Sequence, residues 1–381
     1  MKAYVSYKVQ SVDMFVVRRY SDFVWLRDQL EKEFVGYLIP PLPEKKTMGR
    51  FEAEFIEVRR RYLQKFLRRV AEHPALRKSQ DFRDFMTCSQ QELVAVKASK
   101  SKSKTASLLA WFSESVSAVS QSLTGAEIPK TEADMKFNEM CTYVDALLPQ
   151  LEHVSKHLEG LLKHHREYAT SLEQFGLAFT LLGQAETDRL GGPLSQLGHT
   201  ADRLSNISKE HVDRESLVFA EPLKDYIALT NAVKSMLEKR KEKYNVYSST
   251  VAEHRKATSS LHDLKTQGGR VQMSKIHAAE NTIAQAKVKM ISAKDALHVV
   301  DQRVCAEIAK FKSQKMVDFR NIVLSYVQQQ VEYQKRSEAA WRKLIPKLEQ
   351  AVASSGYASS SGVEKEEEQK EGEEEVEGDA V

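Results

Sequence analysis

The stretch Arg18-Arg19-Tyr20-Ser21-Asp22-Phe23 puts two guanidiniums beside an aromatic ring, directly after an alternating apolar run. A guanidinium fork is the best side-chain holder of a phosphate monoester, because it offers paired, charge-assisted hydrogen bonds. A ring of hydroxyls offers a face to an aromatic plane, and a second cation can hold a phosphodiester. Further cations follow in order. Ile39-Pro40-Pro41-Leu42-Pro43-Glu44-Lys45 ends in a lysine, and a helix-patterned segment carries Arg59-Arg60-Arg61. No single piece is decisive, and the argument rests on their combination and order.

Other chemistry is sparse. The chain contains no GxxxxGK[ST] or GxGxxG phosphate loop and no GxSxG elbow. His153 and His157 stand four residues apart with His164 and His165 nearby. That spacing suits a metal, yet no nearby carboxylate or cysteine completes a site, so His153 and His157 are read as flanking a helical seam and His165 as a polar residue tolerated within it. Three cysteines, Cys88, Cys141 and Cys305, have no CxxC spacing and suit a reduced compartment. No enzyme activity, cofactor or metal is expected. Asn206-Ile207-Ser208 matches a glycosylation sequon, which means little in a cytosolic protein.

The elements that must position these residues begin with a mixed α+β segment. Tyr4–Val9 and Met14–Val17 are short strand candidates, and Ser21 is placed to cap a helix containing Trp25, Leu26 and Leu30. Pro40, Pro41 and Pro43 impose an extended segment. Phe55, Val58, Tyr62, Phe66 and Val70 recur at helical spacing, and His73-Pro74 ends that helix. Lys97, Lys100, Lys102 and Lys104 alternate with serine and alanine, as in a flexible basic linker. Leu108, Phe112, Val116, Val119 and Leu123 then share one face of an amphipathic helix.

Long helices follow. Met140, Val144, Leu147, Leu151, Val154, Leu158, Leu161, His165, Tyr168, Leu172, Phe175, Phe179 and Leu182 keep a 3–4 repeat, the signature of a coiled-coil seam. Gly191-Gly192-Pro193 and Gly268-Gly269 break the pattern. This predicts a second helix from about Thr200 to Leu264 and a third from about Lys275 to Leu344. Pro149 and Pro222 fall inside helices and predict bends, whereas Pro346 marks an end.

The net charge of the 381 residues is +4, but Glu364 to Asp379 holds ten acids and two lysines, leaving +12 for the rest. A basic body suits an anionic partner. No apolar run approaches the ~20 residues of a membrane span, so membrane contact is expected to be peripheral. The acidic tail lacks the apolar content needed to fold.

The order of these motifs resembles the PX-BAR sorting nexins, in particular the retromer-associated type. The resemblance covers residues 1–350 in outline. It implies a PX domain at 1–90, a linker with amphipathic helix at 91–128, a three-helix coiled-coil BAR domain at 129–350 and a tail at 351–381. The PX domains compared begin with one more strand ahead of Tyr4–Val9, so a truncated sheet is expected. The resemblance assigns Arg19 to the 3-phosphate of phosphatidylinositol 3-phosphate, Tyr20 to packing under the inositol ring, Lys45 to the 1-phosphate and Arg59 to the 4- and 5-hydroxyls. It places Met48 and Phe51 in a loop that dips into the bilayer. Arg60 and Arg61 are read as surface charges. Pro40–Pro43 also fits a PxxP ligand of an SH3 domain.

For the helices, the resemblance implies a homodimer, or a heterodimer with another PX-BAR sorting nexin, whose curved basic face meets lipid. Lys239, Arg240, Lys241, Lys243, Arg255, Lys256 and Arg270 are the candidates, with Lys265 and Lys275 near the same turn. Leu108, Phe112, Val116 and Val119 either wedge into the bilayer or pack on the helical body. The implied setting is the cytosolic face of endosomes, with retromer cargo-recognition subunits as partners and no nucleic acid. The competing reading is a coiled-coil tether or cytoskeletal linker without curvature activity.

Overall fold

The computed structural model describes residues 4–10, 15–45, 51–100, 132–187, 189–266 and 273–353. Strands β1 (Ser6–Gln10) and β2 (Phe15–Arg19) pair antiparallel, with Ser6 opposite Arg19 and Gln10 opposite Phe15. Strand pleating sends alternate side chains to opposite faces. Tyr7, Val9 and Val16 are therefore buried, whereas Phe15 and Val17 are exposed.

Helix α1 (Tyr20–Glu33) starts where β2 ends. Ser21 was the expected cap, but it lies in the first turn. The cap position is Arg19, whose backbone N–H is accepted by the Asp22 carboxylate at 2.7 Å. A carboxylate reaching back from the third helical position satisfies one of the open N–H groups of the first turn. Helix α2 (Ala53–Glu72) and helix α3 (Gln80–Thr87) complete a core of Phe23, Leu26, Leu30, Leu63, Phe66, Val70, Leu76 and Phe85. The Phe23 ring meets Phe85 and Phe66 edge-on, with centroids 5.0 and 6.4 Å apart.

Residues 90–100 form helix α4 instead of the start of a flexible linker. Leu93 is fully buried, Lys97 pairs with the buried Asp22, and Lys100 pairs with Asp81 at 2.5 Å. Repeated Lys-Ser composition suggested flexibility, but one leucine and two inward carboxylates anchor this turn. Residues 101–131, and with them Leu108, Phe112, Val116 and Val119, lie outside the described residues, as do Met48, Arg270 and the acidic tail.

The remainder is helical: α5 (Glu132–Ala185), α6 (Gly191–Glu215), α7 (Glu221–Thr266), α8 (Met273–Arg342) and α9 (Ile345–Ala353). Pro149 lies inside α5. The predicted second helix is divided near Pro222. A wider π turn, Ser216–Ala220, separates α6 from α7, because Pro222 has no N–H to return to the preceding turn. Pro346 sits in the first turn of α9, where a missing N–H costs least. Among the described residues no helix is long and apolar enough to cross a membrane.

The chain forms two compact units. The first joins the residues up to Glu152 with Lys224–Val317. Here Arg69 of α2 forms a two-pronged pair with Asp225 of α7 at 2.9 and 2.5 Å. His73 meets Glu307 of α8 at 2.9 Å, and Arg303 of α8 donates to the Val35 carbonyl at 3.0 Å. Gly36 takes a φ of +89°, and a side chain there would crowd Arg303 and Val300 at 3.2 Å. The second unit joins His153–Leu223 with the described residues from Asp318 onward. Its apolar contacts include Leu172, Leu204, Ile207, Tyr333 and Ala340.

Candidate functional site

The pleat of β2 separates the two arginines of the opening motif. Arg18 is fully buried. Its Nε donates to the Phe85 carbonyl at 2.8 Å and its Nη2 to the Cys88 carbonyl. Burial pushes its pKa down, against the attraction of Asp22. Arg19 points the other way and is half-buried, with its guanidinium 3.5 Å from the Tyr4 ring centre. Arg18 closes the fold, and Arg19 is the arginine presented outward.

At Tyr20, the next residue along the chain, three segments meet. The Tyr20 hydroxyl donates to the Pro43 carbonyl at 2.6 Å. The Arg59 guanidinium lies 4.5 Å from the Tyr20 ring centre and 4.2 Å from that of Phe55. Its Nη2 donates to the Glu44 carbonyl at 3.2 Å. Arg59 is only 6% exposed, and its Nε has no hydrogen-bond partner among the described residues. Burial raises the Tyr20 pKa, with the Arg59 charge opposing. The hydroxyl therefore stays protonated and able to donate.

The structure thus brings together Tyr20, Arg59 and the proline segment, and Lys45 follows that segment directly and is exposed. Phe51 is 52% exposed just ahead of α2. Arg60 is an exposed partner of Glu57 at 2.7 Å. Phe55 was missed as a site residue. Its signal was the four-residue spacing to Arg59 on α2, which stacks the two side chains on one helix face.

The basic run of α7 divides. Lys241, Lys243, Arg255 and Lys256 are exposed, and Lys239 is half-buried against Glu31 at 3.1 Å. Arg240 is not part of a basic surface. It is 3% exposed, held by Asp301 at 2.7 Å and Asp134 at 2.8 Å, with Phe137 and Tyr244 against its guanidinium. Burial acts to lower its pKa, but the hydrogen bonds to Asp301 and Asp134 prevail and hold it raised. The physical reason is periodic. Arg240 continues the inward stripe of Val233 and Leu237.

The apolar seam of α5 divides as well. Leu151 and Leu158 are buried. Val154, Leu161, Tyr168, Phe175 and Leu182, spaced by seven, are all 39–51% exposed. In the same unit, Val323, Leu324, Val327 and Val331 of α8 are about as exposed, at 48–50%. Runs of apolar side chains at heptad spacing on a helix surface are built to be covered by another helix.

Comparison with known proteins agrees with these elements. Residues 7–89 match the PX domain family, and residues 108–347 match the family described as Vps5 C terminal like. The chain is 32% identical over 362 residues to Sorting nexin 1 of Arabidopsis thaliana, covering 92% of this chain and 89% of that protein. It is 27% identical over 368 residues to mouse Sorting nexin-1, covering 91% of this chain and 69% of that protein. Among solved structures, the SNX-BAR Mvp1 tetramer superimposes with a TM-score of 0.70 at 17% identity, covering 91% of this chain and 96% of that one.

Proposed function

We propose, for a chain that belongs to the sorting nexins carrying a PX domain and a Vps5-like C-terminal BAR domain, the role of a peripheral adaptor that reads phosphatidylinositol 3-phosphate on endosomes. The observation that carries this reading is the knot of Tyr20, Arg59, Pro43 and Glu44 beside the outward Arg19. Arg19 supplies the guanidinium fork for the 3-phosphate. Tyr20, fixed by Pro43, lies under the inositol ring. Arg59, clamped between two aromatic faces, keeps a free Nε–H for a ring hydroxyl. Lys45, held in register by the Glu44 contact, takes the 1-phosphate. Met48 and Phe51 enter the acyl region from the same loop.

A single headgroup contact is weak, and a pair of copies multiplies it by raising the effective concentration of the second site. The exposed heptad stripe of α5 supports pairing with a second copy or with a related sorting nexin. The exposed Lys241, Lys243, Arg255 and Lys256, with Arg270, then add charge against anionic lipid at ~1 kcal/mol each. The segment carrying Leu108, Phe112, Val116 and Val119 inserts as a wedge. Together these give curvature-coupled, non-enzymatic sorting with retromer as partner.

The test compares vesicles with and without phosphatidylinositol 3-phosphate, scoring sedimentation and tubules in the same samples. Wild-type protein is expected to sediment and tubulate only with the lipid, and Arg19→Ala to stay in the supernatant while still dimeric. Equal sedimentation of the two proteins would remove Arg19 from the reading.

A further inference from the structure

We propose that His165, His211 and Glu215 form a site for one divalent transition-metal ion of the zinc class. His165 comes from α5, and His211 and Glu215 stand one turn apart on α6. The three side chains each offer one ligand atom, all within 4.8 Å of one another. His165 Nδ1 lies 3.0 Å from Glu215 Oε2, and His211 Nε2 lies 3.7 Å from the same oxygen. Tetrahedral zinc with bonds near 2.1 Å needs its ligands about 3.4 Å apart. The observed spacings bracket that value, so small side-chain shifts suffice.

The cluster is incomplete as a hydrogen-bonded network. His211 is 4% exposed, yet both its ring nitrogens lack a hydrogen-bond partner among the described residues. A buried polar atom left unpaired is costly, so an unfilled donor–acceptor pair at full burial points to a missing ligand. Glu215 is wholly buried and is hydrogen-bonded by His165, Gln330 and Tyr326, which fix its carboxylate beside the unpaired His211 ring. Burial also pushes the His211 pKa down, with Glu215 opposing and His165 adding to the fall.

The surroundings hold these groups in place. The His211 ring stacks on Tyr333 of α8 at 4.1 Å and 15°. The Tyr333 hydroxyl is fixed by Ser208 at 3.0 Å. Gln330 Nε2 donates to the second Glu215 oxygen at 3.2 Å, orienting the carboxylate. Such outer contacts typically hold metal ligands in register. His165, with 32% of its side chain exposed, provides the way in and leaves a fourth position for water. Two imidazoles and one carboxylate favour zinc and its neighbours over calcium or magnesium. The sequence concealed the site because Glu215 lies 50 residues beyond His165.

The test titrates metal-free full-length protein with zinc against a chromophoric chelator. A parallel titration with cobalt(II) reads coordination geometry from its visible spectrum. Wild type is expected to take one ion per chain with a tetrahedral cobalt spectrum, and to melt higher with zinc. His165→Gln, which keeps an amide able to donate to Glu215 at the half-exposed rim, should weaken binding by more than the roughly 10–100-fold of outer-contact changes. His211→Gln should do the same. No stoichiometric uptake by wild type, or unchanged uptake by His165→Gln, would overturn the proposal and assign any bound zinc elsewhere, for instance to the cysteines.

Discussion

Arg18 and Arg19 are consecutive, yet Arg18 is sealed against the carbonyls of Phe85 and Cys88 while Arg19 lies half-buried against the Tyr4 ring. The alternation of a β-strand makes one a structural residue and leaves the other for a ligand. Replacing Arg18 by alanine strips the Phe85 and Cys88 carbonyls of their donor and opens space behind Phe85. A loss of about 3 kcal/mol is expected, read as an earlier thermal transition. Arg19→Ala should leave that transition where it is and remove only binding to the lipid headgroup. If both variants melt alike, the division of labour is wrong.

Arg59 is placed to serve twice, as a tie between α2 and the proline segment and as a donor toward the headgroup. Arg59→Lys keeps the charge but loses the planar fork and much of the stacking against Tyr20 and Phe55. Calorimetry with soluble inositol 1,3-bisphosphate is expected to register at least about a tenfold loss for Arg59→Lys, in line with a charge-assisted bond worth about 1.5–3 kcal/mol. Amide exchange at Glu44 and Lys45 should quicken in the same variant, because the Glu44 carbonyl is released. Unchanged affinity with quickened exchange would reduce Arg59 to a structural tie.

Much of this was legible in the residues, and the failures share a cause. The 3–4 repeat located α5, and the two Gly-Gly pairs fell at the α5–α6 and α7–α8 boundaries. The PX resemblance singled out Arg19, Tyr20, Lys45 and Arg59, and the fold brings Tyr20 and Arg59 of that set against the proline segment. What a repeat does not carry is the identity of the covering surface. Leu158 and Leu161 sit in the same seam, yet the first is buried within the chain and the second is 39% exposed. Composition misled at Lys97 and Lys100, because their partners Asp22 and Asp81 lie far away in sequence. It misled again at Arg240, where a basic run hid one inward position.

That position gives a sharp contrast within four residues. Arg240 neutralises Asp134 and Asp301 in a buried triad, whereas Lys241 and Lys243 face solvent. Arg240→Met withdraws the guanidinium from both carboxylates and is expected to cost about 3 kcal/mol in denaturant unfolding. Adding Asp134→Leu and Asp301→Leu should recover most of it, since an apolar cluster of similar volume replaces the ions. Lys241→Glu with Lys243→Glu should leave unfolding within about 0.5 kcal/mol of wild type and weaken adhesion to anionic vesicles. A destabilised double-lysine variant would contradict this sorting.

The exposed stripe on α5 leads to a prediction about assembly. Val154, Leu161, Tyr168, Phe175 and Leu182 repeat every seven residues, and among the described residues each is left 39–51% exposed. A two-fold symmetric pairing uses the same patch on both copies, so one substitution acts twice. Phe175→Glu places a carboxylate where an aromatic ring of ~2 kcal/mol burial value would lie. Counted on both copies, with the added desolvation of charge, the dimer should weaken by more than about 4 kcal/mol, roughly a thousandfold. Sedimentation equilibrium should find wild type dimeric and Phe175→Glu monomeric, with circular dichroism unchanged because position 175 is not part of the internal core. Vesicle binding should then survive weakly through Arg19 while tubules disappear. A monomeric wild type, or a Phe175→Glu variant that still dimerises, would show that the stripe faces another partner.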